Sequence, residues 1–203
     1  MPGLTADFTA DFTGDFDAIL LTGGSARRLG GIDKATLEIA GSTCFMRVLE
    51  AVSEAKSVVV VGPAIPANNE RIVFIQEEPR GGGPVAGVWA ALPLIKNHLV
   101  AVISVDVPLV AGAIDELRAS WSLTDVALVA SDGTDESYLV SIFNTDALRQ
   151  AISQLSSPIN ASMKSVLAHI AYRVVIVSDP DMLIDVDTPE DVKRVEEVLS
   201  RRK

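Results

Sequence analysis

The strongest constraint on this chain is an alternation that begins at Asp17 and runs almost to its end. Short runs of apolar, mostly β-branched residues, AILL (18–21), VVVV (58–61), IVFI (72–75), VAVISV (100–105), VALVA (126–130), YLVSIF (138–143) and RVVIV (173–177), are separated by stretches with helical period. Strands that are apolar along their whole length must be buried on both faces, and the intervening helices supply the cover. The pattern predicts an α/β fold with a doubly wound, mostly parallel sheet of Rossmann type. Helices are expected over 42–53, 84–92, 111–119, 145–154, 161–169 and 189–199. The last has the clearest start, with Thr188 as N-cap, Pro189 in the first turn and Asp191 at the third position. Hydrophobic residues make up 48% of the chain and aromatic residues only 5%, so Val, Leu, Ile and Ala must build the core.

At 203 residues the chain fits one such domain, taken as 17–203. Before it, residues 5–16 read TADF TADF TGDF, a repeat without helical or strand period, and residues 1–16 are expected to be a disordered extension in which Phe8, Phe12 and Phe16 could at most dock a partner. No apolar run approaches the roughly 20 residues that span a bilayer, and the N-terminus lacks a secretory pattern, so a cytoplasmic protein is expected. A net charge of -10 repels nucleic acid and anionic membrane at long range, and neither is expected as a partner. An anionic ligand would need a local basic cluster or a metal ion. The single cysteine, Cys44, excludes an internal disulfide and reads as a small core residue.

A local basic cluster is present. LTGGSARRLGGIDK (21–34) follows the first strand and combines four glycines with Arg27, Arg28 and Lys34. Glycines let backbone amides approach a ligand closely, and the cations supply charge that the chain otherwise lacks, so a polyphosphate is the natural ligand. The loop ends in neither Gly-Lys-Ser/Thr nor a G-x-G-x-x-G that opens a helix, which excludes the P-loop and dinucleotide fingerprints. It leads instead into the short extended LEI (37–39).

Carboxylates stand at two later strand ends. Asp106 follows the apolar VISV, at the edge of an open sheet where ligands bind, and is the first candidate metal ligand. Asp185 and Asp187 in LIDVDTPED (183–191) alternate if extended and cannot both face one metal; Asp187, nearer the helix start, is expected to complete the site. Magnesium suits such a site, since one or two carboxylates with phosphate oxygens and water suffice. A second glycine loop, EEPRGGGPVAG (77–87), would pass close to a base or ribose at Gly81–Gly83, although alone it reads equally as an ordinary strand-to-helix turn. His98 and His169 lie outside all these motifs, and no Ser-His-Asp or Cys-His arrangement is visible.

The first loop, GG-x-A-R-R-x-GG-x-DK, resembles the signature of the molybdenum cofactor guanylyltransferases, MobA-like members of the wider nucleotidyltransferases, and the likeness runs on to Asp191. The resemblance implies a magnesium-dependent enzyme that transfers GMP from GTP to a molybdopterin-type phosphorylated acceptor. It implies that Leu21, Thr22, Gly23 and Gly24 line the base and phosphates, that Arg28 and Lys34 grip the triphosphate beside the catalytic Asp106, and that Glu78 and Gly83 meet the nucleotide. It leaves contact with other proteins of the cofactor pathway open. Two departures stand out: the motif that commonly reads N-V-N-T-P-E is here DVDTPE, and Glu78 stands where the family usually has Asp. Related readings are a molybdopterin cytidylyltransferase, a guanylyltransferase acting on a phospholactate-like acid, and a nucleotide-binding module without catalysis.

Overall fold

A computed structural model describes residues 14–23, 25–26, 32–67 and 69–202. In chain order the described elements are β1 (Phe16–Leu21), β2 (Ser25–Ala26), β3 (Ile32–Asp33), β4 (Glu38–Ile39), β5 (Ser42–Thr43), α1 (Cys44–Ala51), β6 (Val58–Val61), β7 (Ile72–Ile75), α2 (Pro84–Ala91), β8 (Leu99–Ser104), α3 (Ala111–Ser120), β9 (Ala127–Ser131), β10 (Glu136–Asn144), α4 (Thr145–Ser153), α5 (Met163–Leu167), β11 (Arg173–Ile176) and α6 (Pro189–Arg201), with single 3-10 turns at Lys34–Thr36, Leu92–Leu94 and Pro180–Leu183.

The main sheet has the order β11-β9-β10-β8-β1-β6-β7. Every neighbouring pair is parallel except the two that involve β10, which runs against both β8 and β9. Alternating side chains divide the core. Ala18 and Leu20 of β1, with Val58 and Val60 of β6, face α1, α3 and α6 through Phe45, Ile114 and Val195. Ile19, Leu21, Val59 and Val61 face α2, α4 and α5 through Val88, Leu148 and Val166. The expected doubly wound α/β architecture is therefore present, with one strand reversed. The reversal follows from chain length: the few residues between the 126–130 and 138–143 runs can close a hairpin but cannot carry a crossover helix.

Several boundaries differ from expectation, three of them with a cause visible in the structure. Ser42 and Thr43 pair with β4 as β5, and the Thr43 hydroxyl accepts from the Met46 amide as N-cap, so α1 begins at Cys44 and not at 42. Ser162 caps α5 in the same way, which shortens that helix to Met163–Leu167. Phe16, grouped with the extension by the TADF repeat, is the first residue of β1, 2% exposed, with the Arg118 guanidinium 4.7 Å from its ring centre; residues 1–13 lie outside the described region. The start expected for α6 is found as a complete capping box, Thr188 and Asp191 each bonding the other's backbone amide. No helix among the described residues is long and apolar enough to cross a membrane.

Candidate active site

The carboxyl ends of β1, β6, β7 and β8 open onto a cleft of about 680 Å³, lined by Leu21, Thr22, Gly23, Asp33, Val61, Gly62, Pro63, Gln76, Glu77, Gly81, Gly83, Pro84, Gly87, Ser104, Asp106 and Leu139. Three residues far apart in sequence meet at its edge. Lys34 Nζ donates to Asp106 Oδ2 at 2.9 Å and also to Asp187 Oδ1, an ion pair between residues 153 positions apart in the sequence.

Each member is placed by local structure. Asp33 Oδ1 accepts from the Ala35 amide at 2.9 Å and caps the 3-10 turn Lys34–Thr36, and with Ala35 buried the turn is anchored to the core. Asp106 sits in the turn that follows β8, held where the Val105 amide donates to the Leu21 carbonyl at 3.0 Å. The Val186 amide donates to the Asp106 carbonyl at 2.8 Å, which lays the 184–187 segment against that turn. The capping box of α6 then fixes Asp187, whose amide donates to Asp191 Oδ2 at 3.1 Å.

Burial by itself would lower the Lys34 pKa, but its hydrogen bonds to Asp187 and Asp106 outweigh that and hold the ammonium above its ordinary value. Lys34 is thus a permanent cation at the cleft edge. Asp185 is not among its hydrogen-bond partners. Although part of its side chain remains open to solvent, its crowded surroundings withdraw water from the carboxyl and, with the like charges of Asp106 and Asp187, push its pKa up to about 6. Cys44 is fully buried, and burial, with the charge of Asp106 adding, pushes its thiol up to about 11. A thiol so protonated is no nucleophile, as its reading as a core residue anticipates.

The floor of the cleft is shaped by Thr22 and Gly62. Thr22, 3% exposed, donates its hydroxyl to the Val61 carbonyl at 3.0 Å. Gly62 lies at φ +142°, and a Cβ there would stand 2.1 Å from that hydroxyl, so the position admits no side chain while Thr22 is present. Opposite, Gly83 at φ +88° caps α2 and aims the start of that helix at the cleft. The neighbouring Gly82 carbonyl is held by the Asn160 amide at 2.6 Å.

Leu21, Thr22, Gly23, Gly83 and Asp106 accordingly line the cleft, with Lys34 and Asp187 at its edge. Gly24 and Arg28 lie outside the described residues. Glu78 does not line the cleft: it is exposed, and its neighbour Glu77 faces inward, accepting from the Gly81 amide at 2.8 Å. Two adjacent acids at a strand end offer no sequence signal for which one turns in; the geometry of the turn decides. Asp33, Gln76, Gly62 and Leu139 were also not singled out by sequence, and only Asp33, directly before Lys34 in the DK pair, carried a usable signal. His98 and His169 are exposed and away from the cleft, as expected.

Among the described residues no group of three or more His, Cys, Asp or Glu side chains forms a metal cage. Asp106 and Asp187 nonetheless converge on a single cationic atom, and two hard oxygen donors of this kind fit magnesium, which needs only one or two carboxylates, far better than zinc.

The chain is similar to known proteins over most of its length. The profile of the MobA-like NTP transferase domain matches residues 18–180. Proteins named molybdenum cofactor guanylyltransferase are similar along nearly their whole length: that of Shewanella piezotolerans is 26% identical over 92% of this chain and 95% of its own, and that of Shewanella amazonensis 28% identical over 91% and 97%. Among solved structures, molybdopterin-guanine dinucleotide biosynthesis protein A from Archaeoglobus fulgidus superposes with a TM-score of 0.69 at 24% identity, covering 91% of this chain and 99% of that one. The 2-C-methyl-D-erythritol 4-phosphate cytidylyltransferase of Thermus thermophilus superposes with a TM-score of 0.67 at 21% identity, covering 90% and 98%. At these identities the structural matches establish the shared fold.

Proposed function

The chain belongs to the MobA-like NTP transferase family, and from that premise we propose that it is a guanylyltransferase that moves GMP from GTP to the terminal phosphate of molybdenum-bearing molybdopterin, releasing pyrophosphate. The observation that carries this reading is the meeting of Lys34, Asp106 and Asp187 at the edge of a cleft lined by Gly23 of the first glycine loop and by Gly81 and Gly83 of the second. Sequence similarity to molybdenum cofactor guanylyltransferases supports the choice of nucleotide and acceptor.

In the reaction an oxygen of the acceptor phosphate bonds to the α-phosphorus of GTP, the bond from that phosphorus to the bridging α-β oxygen breaks, and pyrophosphate leaves with the electron pair. A phosphate nucleophile is ionised at neutral pH, so no general base is required, which accords with the exposure of both histidines. The obstacle is repulsion between anions. Lys34 supplies fixed positive charge, and its low exposure strengthens that charge relative to water. Asp106 and Asp187 would hold magnesium, which when bound neutralises phosphate oxygens. Leu21 to Gly23 and Gly83 bring backbone groups to the cleft, and Glu77 adds a carboxylate that accepts hydrogen bonds. Acceptors of this kind match the N1-H and N2-H donors of guanine and leave adenine poorly paired.

The test is the specificity constant, kcat/KM, for GTP, ATP and CTP with the molybdenum-bearing acceptor, with and without magnesium. GTP is expected to be preferred by a factor of roughly 10² or more, with activity lost on chelation. Preference for CTP would move the protein to the cytidylyltransferase reading, and binding of triphosphate without pyrophosphate release would make it a non-catalytic module.

A further inference from the structure

The second glycine loop joins β7 to α2, and most of what holds it lies within it. The Gly81 amide donates to Glu77 Oε1 at 2.8 Å, and the Gly82 amide to the Pro79 carbonyl at 3.1 Å. A Cβ at Gly82 would stand 2.9 Å from the Ala86 Cβ and 3.1 Å from the Pro79 carbonyl oxygen, so the turn is drawn tight against the start of α2. Among the described residues, the segment 77–83 takes one hydrogen bond from outside itself and its helix. The donor is the Asn160 amide, 2.6 Å from the Gly82 carbonyl.

Asn160 belongs to the segment between α4 and α5, which is itself well fixed. The Ala161 amide donates to the Pro158 carbonyl at 3.4 Å and closes a turn whose third residue, Asn160, lies at φ +59°. Glycine and asparagine adopt left-handed backbone there readily, and few other residues do. On one side of the turn Ser157 Oγ accepts from the Ile159 amide at 3.1 Å; on the other, Ser162 caps α5, whose Met163 and Val166 share a buried core with Val88 of α2. Among the described residues the exposed Asn160 side chain makes no hydrogen bond, so the residue acts through its backbone.

What this contact sets is a direction. The Gly82–Gly83 peptide is trans, so its carbonyl and its N–H point opposite ways. The carbonyl turns toward Asn160, which is not in the cleft lining, and this leaves the Gly83 N–H on the opposite side of the peptide, with Gly83 itself in the lining. That N–H has no acceptor among the described residues, and Pro84 after it has no N–H to offer. We propose that Asn160 is a positioning residue for the nucleotide: it holds the Gly82–Gly83 peptide so that the Gly83 amide donates to an oxygen of the bound nucleoside triphosphate. The inference rests on the transferase reading above and adds to it a residue that touches no substrate.

The test measures equilibrium binding of GTP, CTP and ATP with magnesium to the full-length wild-type chain and to Asn160→Gly, Asn160→Ala and Asn160→Pro, alongside denaturant melts. Proline has no N–H and fixes φ at about −65°, so it removes both the donor and the turn. GTP binding to Asn160→Pro should weaken roughly tenfold, the scale of one misplaced hydrogen bond. Asn160→Gly keeps the amide and the left-handed backbone and should bind as wild type; Asn160→Ala keeps the amide but resists that backbone and should fall between. In turnover Asn160→Pro should raise the GTP KM and leave kcat and the acceptor KM unaltered, a split that a general loss of stability does not produce. Wild-type GTP affinity in folded Asn160→Pro, or an Asn160→Gly protein as weak as Asn160→Pro, overturns the assignment. Should Asn160→Pro fail to fold, the other two variants decide: weaker binding by Asn160→Ala than by Asn160→Gly upholds the assignment, and equal binding overturns it. A wild type that prefers CTP overturns the choice of base, and the same comparison is then read on CTP. Binding of GTP without GMP transfer overturns the proposed reaction and leaves the role of Asn160 standing, whereas a wild type that binds no triphosphate overturns both.

Discussion

The two ends of the sheet use the same residue type to opposite purposes. At the amino end, Asp17 of β1 is 1% exposed and accepts from the Ser57 amide and hydroxyl at 3.1 and 2.8 Å, from the Lys96 and Asn97 amides at 2.8 and 2.9 Å, and from the Asn97 side-chain nitrogen at 2.8 Å. These donors stand at the entries of β6 and β8, so one carboxylate ties the starts of three adjacent strands. At the carboxyl end, Asp106 and Asp187 meet a cation, Lys34, and Asp106 keeps a face in the cleft. A carboxylate enclosed by neutral donors is spent on the fold, whereas one that shares a cation beside open volume remains available to a ligand. Burial of a charge therefore does not identify an active site; the kind of partner and the space beside it do.

The contrast can be broken first at the amino end. Asp17→Ala should cost about 3–5 kcal/mol of stability, because it leaves several buried donors unpaired at once, while turnover per folded molecule at low temperature stays at the wild-type level. Denaturant melts paired with active-site titration check both halves. A loss of turnover without a loss of stability would place Asp17 in the chemistry.

Lys34→Ala should do the reverse, lowering turnover at saturating substrates by roughly 10²-fold, about 2.7 kcal/mol, with a smaller change in stability than Asp17→Ala. Near-wild-type turnover would remove Lys34 from the mechanism and leave its ion pairs as a structural tie between the first loop and the C-terminal segment.

The smallest effect sharpens the comparison through pH. Burial would raise the Asp17 pKa, but the hydrogen bonds from Asn97, Lys96 and Ser57 outweigh it and hold the pKa below the ordinary carboxylate value. A depressed folded-state pKa means stability that is present above the unfolded value of about 3.9 and is lost as pH falls through the folded value. Between about pH 5 and pH 2 the wild type should lose more stability than Asp17→Asn, which cannot titrate there. Parallel pH curves for the two proteins would show that the acid sensitivity arises elsewhere, at other carboxylates with lowered pKa values such as Asp125.

Much of this was legible in the residues before any coordinates. Strands such as VVVV (58–61) and the helix start at Thr188 are short-range statements: β-branched runs, caps and turn residues act on their own neighbours, and so do the glycines and lysine of the first loop. Asp106 could be singled out because an acid at the carboxyl end of a strongly apolar strand lies where an open sheet binds its ligand. Family resemblance then joined Lys34 to the same nucleotide.

What only the tertiary structure decided has a common cause, namely packing between segments far apart in the chain. The choice of Glu77 over Glu78 depends on how the turn after β7 meets Gly81. The inclusion of Phe16 in β1 depends on its burial against Arg118, a hundred residues away in order and adjacent in space. The bulge of β10 depends on the register that its backbone groups find between β9 and β8. The approach of Asp187 to Lys34 depends on the backbone hydrogen bond from Val186 to the Asp106 turn together with the capping box of α6. Sequence by itself determined which segments become strands and helices and which residue types carry charge to the cleft, because those preferences are set by local sterics and local hydrogen bonding. Register, facing and the meeting of distant side chains are set by the free energy of filling one shared core, and that quantity exists only once all the segments are assembled.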